Sequence, residues 1–404
     1  MLHRVIVVIA TLVCSAMVMA GDVAVRAGRL HTANGPVIED GVVVVRDGKI
    51  VAVGPSATTP VPAGVEVIEA AVVTPGLIDA HTVVGLAGYL NQDTDQDQLE
   101  TSEPVQPELR AIDAYNSRET LVDWVRSFGV TTLHTGHGPG SLVSGQTMIV
   151  KTAGATVNEA VVKPAAMIAA TLGEQATRDG GKPPGTRSKA AAMLRAELQR
   201  ARHYLDKIES AEEGETPDVD LRLAALGRVL TGELPLLVTV QRHQDILTAM
   251  RIAEEFNLRL VLDGAGESYL LIDEIRESGI PVIVHATMKR AAGEAENLSM
   301  ETAGVLDREG IPIALQSGYE SYVPKTRVVL FEAAVAASHG LGVERALHAI
   351  TLGAAKLLGI DDRVGSLEIG KDGDLALYDG DPFEYTSHCI GTIINGERVS
   401  REAR

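Results

Sequence analysis

The sequence predicts an α/β fold: a (β/α)8 TIM-type barrel plus a small composite β-domain formed by the N- and C-terminal segments. The middle of the chain alternates short apolar runs with helical patterns, as repeated βα units of a parallel sheet require. Both chain ends read instead as strands joined by tight turns. The length, 404 residues, suits one barrel with an appendage. With 45% hydrophobic but only 3% aromatic residues, the core must be filled by Val, Leu, Ile and Ala.

Taken in order, residues 1–20 read as an export signal. His3 and Arg4 form a short basic start, Val5 to Val18 an apolar run, and Val18-Met19-Ala20 a small-residue cleavage site. The competing reading, an anchor helix, is weakened by the shortness of the run and by Thr11 and Ser15 within it. From 21 to 73 the pattern is β, with Val42 to Val45 and Lys49 to Val53 alternating around Asp47-Gly48, which suits a type I′ hairpin. Residues 360–404 mirror this, with strands at Asp374 to Tyr378 and Ile390 to Ile394 and a turn at Asn395-Gly396. The two segments are expected to share one domain.

Residues 74–359 form the predicted barrel. Its candidate strands are Val72 to Ile78, Val130 to Leu133, Thr147 to Val150, Ala166 to Ala170, Leu236 to Val240, Arg259 to Leu262, Pro281 to Val284 and Pro312 to Leu315. Thr147 to Val150 serves equally as a hairpin arm. Helices are expected at Arg118 to Ser127, Ser188 to Ile208, Gln244 to Phe256, Arg327 to Ser338 and Val343 to Leu358. The stretch from Leu86 to Asn116 follows the first barrel strand, which puts it on the catalytic face as a lid or an oligomer contact.

A formal net charge of −18 argues against nucleic acid or anionic lipid as partners, because both demand basic surface. Cleavage of the signal removes Cys14 and leaves Cys389 alone, so no internal disulfide is available.

Val73-Thr74-Pro75-Gly76-Leu77-Ile78-Asp79-Ala80-His81 resembles the first-strand signature of the amidohydrolase superfamily, in its imidazolonepropionase-like branch. Gly365-Ser366-Leu367-Glu368-Ile369-Gly370-Lys371-Asp372-Gly373-Asp374-Leu375, followed by Asp379-Gly380-Asp381-Pro382, resembles the family's return into its β-domain. The resemblance implies hydrolysis of an amide or related C–N bond by a metal-activated water. One or two divalent ions, zinc most often, would be held by histidines and a carboxylate at strand ends.

Against that pattern the sequence departs. Where the family ends its first strand His-x-His, this chain reads His81-Thr82-Val83. The fifth-strand histidine falls near Thr239 or Gln241, the sixth-strand histidine near Gly266, and the eighth-strand aspartate at about Ser317. His81 is the retained ligand candidate. His134, His137 and His285 follow other strands and could join it around one divalent metal, with carboxylates nearby at Asp263, Glu267 and Glu320. The opposing reading is that these imidazoles bond to loops or line a polar pocket without metal. His285 with Glu267 is a further candidate acid–base pair. The acidic run Asp93-Thr94-Asp95-Gln96-Asp97 lacks the Gly and bidentate Glu of a calcium loop and reads as solvated.

The expectation is therefore an exported hydrolase of a non-peptide C–N bond in a small or cyclic amide. The alternative is a catalytically inactive homologue that binds a ligand or stabilises an active partner. The expected partner is a small molecule, with a homodimer or pairing with an active amidohydrolase left open.

Overall fold

The computed structural model describes residues 22–212, 217–319 and 328–404. The expected export signal at 1–20 and the carboxylate Glu320 lie outside the described residues.

A seven-stranded sheet joins the two chain ends. Its order is Glu397–Ser400, Cys389–Ile394, Leu375–Tyr378, Glu66–Pro75, Val23–Leu30, Ile38–Arg46, Lys49–Pro55. Leu375–Tyr378 runs antiparallel to Glu66–Pro75, with Leu375 opposite Pro75 and Tyr378 opposite Val72. Both expected hairpins form on left-handed dipeptides: Asp47 and Gly48 at φ 49° and 74°, Asn395 and Gly396 at φ 50° and 77°. Positive φ at both central positions matches the right-handed strand twist, which is why Asn or Asp followed by Gly occupies them.

The remaining strands lie in two sheets. One has the order Ile313–Leu315, Val282–Val284, Leu260–Gly264, Leu236–Val240, Ile168–Thr171, Val143–Gln146. The other runs Leu77–Thr82, Val130–Thr135, Met148–Lys151, Val161–Lys163. The first five strands of the larger sheet are mutually parallel, as are Leu77–Thr82 and Val130–Thr135. Thr82 and Gly318 form a parallel bridge that brings the edges of the two sheets together.

Three details refine the sequence reading. The run Val72 to Ile78 is not one strand: residues up to Pro75 belong to the seven-stranded sheet, and a separate strand begins at Leu77. Gly76 allows this change of sheet, because a Cβ there would stand 2.2 Å from Thr131 Oγ1. Met148–Lys151 is the hairpin arm, antiparallel to Val130–Thr135. The expected helix Val343 to Leu358 is also two helices, Val343–Ala349 and Leu352–Leu358. The break at Thr351 frees the Ile350 carbonyl to accept from Ile78 N–H at 2.8 Å. Helices Thr120–Arg126, Arg187–Glu209 and His243–Phe256 match expectation, and no described helix is long and apolar enough to cross a membrane.

Lys151 ties the sheets together. Its ammonium, buried with its side chain 5% exposed, meets Asp372 Oδ2 at 2.7 Å and Asp374 at 3.1 Å, and also donates to the Asn395 side chain. Lys49 and Arg363 reach the same Asp372 from the surface. A buried cation is tolerated only with such partners, and removing it leaves buried Asp374 without its cation while Asp372 keeps Lys49 and Arg363. Lys151→Ala is therefore expected to cost about 3 kcal/mol, read as a lower urea midpoint, because an unpaired buried charge remains. An unchanged midpoint would show that the cluster contributes nothing.

Candidate active site

The strand ends that meet at the mouth of the parallel sheets carry the polar groups. Asp263, on Leu260–Gly264, is buried to 2% exposure and lies at the centre. His81, near the end of Leu77–Thr82, directs Nδ1 at Asp263 Oδ1 over 3.0 Å. Thr239 Oγ1 donates to Asp263 Oδ2 at 2.6 Å, and Gln316 Nε2 donates to Oδ1 at 2.9 Å. A buried carboxylate keeps its charge only when its lone pairs are met, and these bonds meet them.

Burial works against charge on both members of the pair. For Asp263 that penalty is outweighed by the His81 charge and by the hydrogen bonds from His81, Thr239 and Gln316, so its pKa is lowered. For His81 the penalty is outweighed by the Asp263 charge and hydrogen bond, so its pKa is raised. In the neutral ring, with Asp263 ionised, Nδ1 carries the donated proton and Nε2 holds the lone pair, while the raised pKa widens the pH range over which both nitrogens are protonated. Nε2 is buried and has no hydrogen-bond partner among the described residues.

A cavity opens beside this pair, lined by Thr239, Gln241, Asp263, His285, Lys289 and Gln316 with His81. Its volume of about 30 Å³ admits about two waters. Pro139, Gly318 and Tyr319 complete its lining. The Tyr319 hydroxyl accepts from Gln98 Nε2 at 2.9 Å, and Gln98 O accepts from Gly138 N–H at 2.6 Å. The stretch from Leu86 to Asn116 thus borders the pocket. Its acidic run forms a short turn in which Asp95 accepts from Gln92 N–H at 3.1 Å.

The expected histidine cluster does not assemble. His134 bonds through Nδ1 to Ala80 O at 2.6 Å and through Nε2 to Thr147 Oγ1 at 2.7 Å, so both ring nitrogens are engaged. His285 bonds to Ala286 O at 3.0 Å and to Thr302 Oγ1 at 3.3 Å. His137 lies against Gly145 and the Leu109 backbone and does not line the cavity. Burial lowers all three: His134, with the His81 charge adding to burial, to about 3, and His137 and His285 to about 4. They remain neutral near pH 7.

Nor do His285 and Glu267 pair. Despite a burial penalty, Glu267 is pulled down to about 2 by bonds from Asn297, His243 and Arg242. A carboxylate that weakly basic makes a poor proton acceptor.

A divalent metal needs several lone pairs converging on one point. Among the described residues no group of His, Cys, Asp or Glu is placed to hold one. His81 Nε2 is a single available donor, and the Asp263 oxygens already accept bonds from His81, Gln316 and Thr239. The residues present do not fit the metal centre that the resemblance implies.

The substitutions also depend on one another. A Cβ on Gly266, where the sixth-strand histidine would fall, would stand 2.6 Å from Leu298 Cδ2 and 3.0 Å from Gln241 Oε1. Gln241 fills that space, and its buried Oε1 has no partner among the described residues. Ser317, where the aspartate would fall, donates from its backbone N–H to Asp79 Oδ1 at 3.0 Å and from Oγ to Oδ2.

The sequence reading treated Asp263 as one nearby carboxylate and did not single out Gln316 or Asp79. The signal for Asp263 was its place at the end of an apolar strand run, where a charged residue needs a reason.

Comparison with known proteins agrees with this architecture. Residues 316–400 match the model of the Amidohydrolase family. An imidazolonepropionase of Rhizobium rhizogenes is 24% identical over 369 residues, covering 86% of this chain and 88% of that relative. A second imidazolonepropionase, of Mesorhizobium japonicum, is 25% identical over 372 residues, covering 85% and 87%. The crystal structure of an amidohydrolase from Thermotoga maritima superposes with TM-score 0.89 at 29% identity, covering 94% of this chain and all of that one. A zinc-bound adenosine deaminase from Xanthomonas campestris shares the fold at TM-score 0.54 and 16% identity, covering 94% and 92%. Over most of its length the chain is similar to imidazolonepropionases and to a solved amidohydrolase, and its C-terminal part matches the Amidohydrolase family. Its homologues indicate a hydrolase acting on C–N bonds.

Asp79 supplies a test of the site's electrostatics. Burial raises its pKa to about 7 against the opposing bonds from Ser317 and the charge of His81. The folded state then holds a proton between the ordinary carboxyl range and about pH 7 that the unfolded chain has released, so Asp79's contribution to stability falls as pH rises through that window. Carbon-13 NMR of the Asp79 carboxyl should show a midpoint near neutrality. A midpoint near 4 would contradict this description of the site.

Proposed function

We propose that this chain is an exported hydrolase of a non-peptide C–N bond in a small or cyclic amide. Its architecture is read as a (β/α)8 barrel with a composite β-domain, and the reaction is placed at the barrel mouth. The supporting observation is a pair of buried acceptors at one cavity, His81 Nε2 and Gln241 Oε1, that have no partner among the described residues. A water donates to one and an amide N–H to the other, and such groups suit a cavity of about 30 Å³. Lys289, on the same wall, brings positive charge toward an oxyanion forming on the amide carbonyl. Kinship with imidazolonepropionases supports a cyclic amide over a peptide.

The altered ligand pattern favours a second reading, a homologue without activity that binds a ligand or stabilises an active partner, since a fold survives loss of its chemistry. Incubation of the purified chain with hydantoin, dihydrouracil and p-nitroacetanilide separates the two. Release of the ring-opened acid or of p-nitroaniline, abolished by Gln241→Leu, is expected. Binding without turnover of any of them would favour the second reading. Export is checked by N-terminal sequencing of the chain recovered from a cell envelope fraction, with cleavage expected after Ala20.

A further inference from the structure

We propose that His81 is a general base that works without a metal, held in its Nδ1–H tautomer by Asp263. This rests on the reading of the chain as a C–N hydrolase and states how the water is activated.

The geometry behind it is that of an imidazole held by a buried carboxylate. A ring whose Nδ1 donates to a buried, ionised carboxylate presents the other nitrogen as a lone pair fixed in direction. His81 has that arrangement, with Nδ1 to Oδ1 at 3.0 Å, Nε2 without a described partner, and its side chain only 5% exposed. Asp263 cannot turn away, because Thr239 and Gln316 hold both of its oxygens. A ligand histidine also bonds an outer carboxylate through its second nitrogen, so this pair alone does not separate the roles. The neighbours do. The other donors that would complete a metal site are neutral Thr239, Gln241 and Gln316, or imidazoles whose nitrogens already bond protein atoms, as in His134 and His285.

In the reaction, a water gives a proton to Nε2 while its oxygen forms a bond to the amide carbonyl carbon, and the carbonyl electron pair moves to oxygen. The tetrahedral species then re-forms the carbonyl and breaks the C–N bond. The proton on Nε2 passes to the leaving nitrogen, which departs as an amine. The acid product loses its proton to solvent, and His81 returns to its starting state. Asp263 forms no bond to substrate. It is a positioning residue, which keeps the ring in the reactive tautomer and stabilises the imidazolium between the two transfers.

The test combines turnover of the amide probe that gives the fastest release with nitrogen-15 NMR of the imidazole of His81. Expected results are turnover unchanged after dialysis against dipicolinate, and a loss of about 100-fold or more for His81→Gln. In the wild-type chain, at a pH above the raised pKa of the ring, Nδ1 should carry the proton and Nε2 should not. In Asp263→Ala, Nδ1 loses its acceptor, so the ring should no longer be held in the Nδ1–H form and the Nε2–H form should populate, with a matching loss of turnover. A structural role for Asp263 would not move the tautomer. The wild-type spectrum needs no variant to fold, and a proton found on Nε2 there overturns the proposal. Turnover lost on chelation and restored by zinc overturns it while leaving the hydrolase reading intact. No turnover of any probe overturns the hydrolase reading and the catalytic role together.

Discussion

The site depends on the burial of one ionised carboxylate, Asp263. It is 2% exposed, and its charge is held by donors from three neighbouring segments: His81 on the first strand of its sheet, Thr239 on the adjacent strand, and Gln316 just past Ile313–Leu315. A carboxylate so placed would neutralise or drag in water without them. Because these donors are fixed by parallel strands in register, the imidazole of His81 is fixed as well. Its orientation is a consequence of the sheet rather than of a flexible loop.

The rest of the mouth follows the same rule, with each substituted position taken up by a neighbour. Gln241 occupies the volume that a side chain at Gly266 would need. Ser317 turns its N–H and hydroxyl to Asp79, which accordingly stands as a buried acid with its pKa near 7 rather than as a spare ligand. His134 and His285, which a count of residue types would assign to a metal, spend both nitrogens on backbone and threonine oxygens. Among the described residues that line the cavity, one imidazole nitrogen and one amide oxygen are left without a partner. A fold can keep its frame while the side chains at its mouth differ, because function resides in a few of them.

Much of the fold was legible in the sequence because its cues are local. Asp47-Gly48 and Asn395-Gly396 each require φ above zero at both turn positions, and both formed the hairpins they announced. Leu236 to Val240 is a strand that its apolar run marks without help from its surroundings. The split between Pro75 and Leu77 was not legible, since nothing in the run Val72 to Ile78 says that its two halves serve different sheets. The break at Thr351 depends on a distant partner, Ile78 N–H. In the site, the loss of ligand positions could be read from residue types alone. The pairing of His81 with Asp263 could not, since the two are separated by 182 positions and nothing but the folded sheet brings them together.

Anomalous diffraction at the zinc edge, from crystals grown in the presence of zinc, tests the central claim most directly. The account predicts no zinc peak at the cavity and density for a water or ligand atom within hydrogen-bond distance of His81 Nε2. A zinc peak at about 2.0 to 2.1 Å from Nε2 would contradict it, because that nitrogen would then be a ligand and not a base.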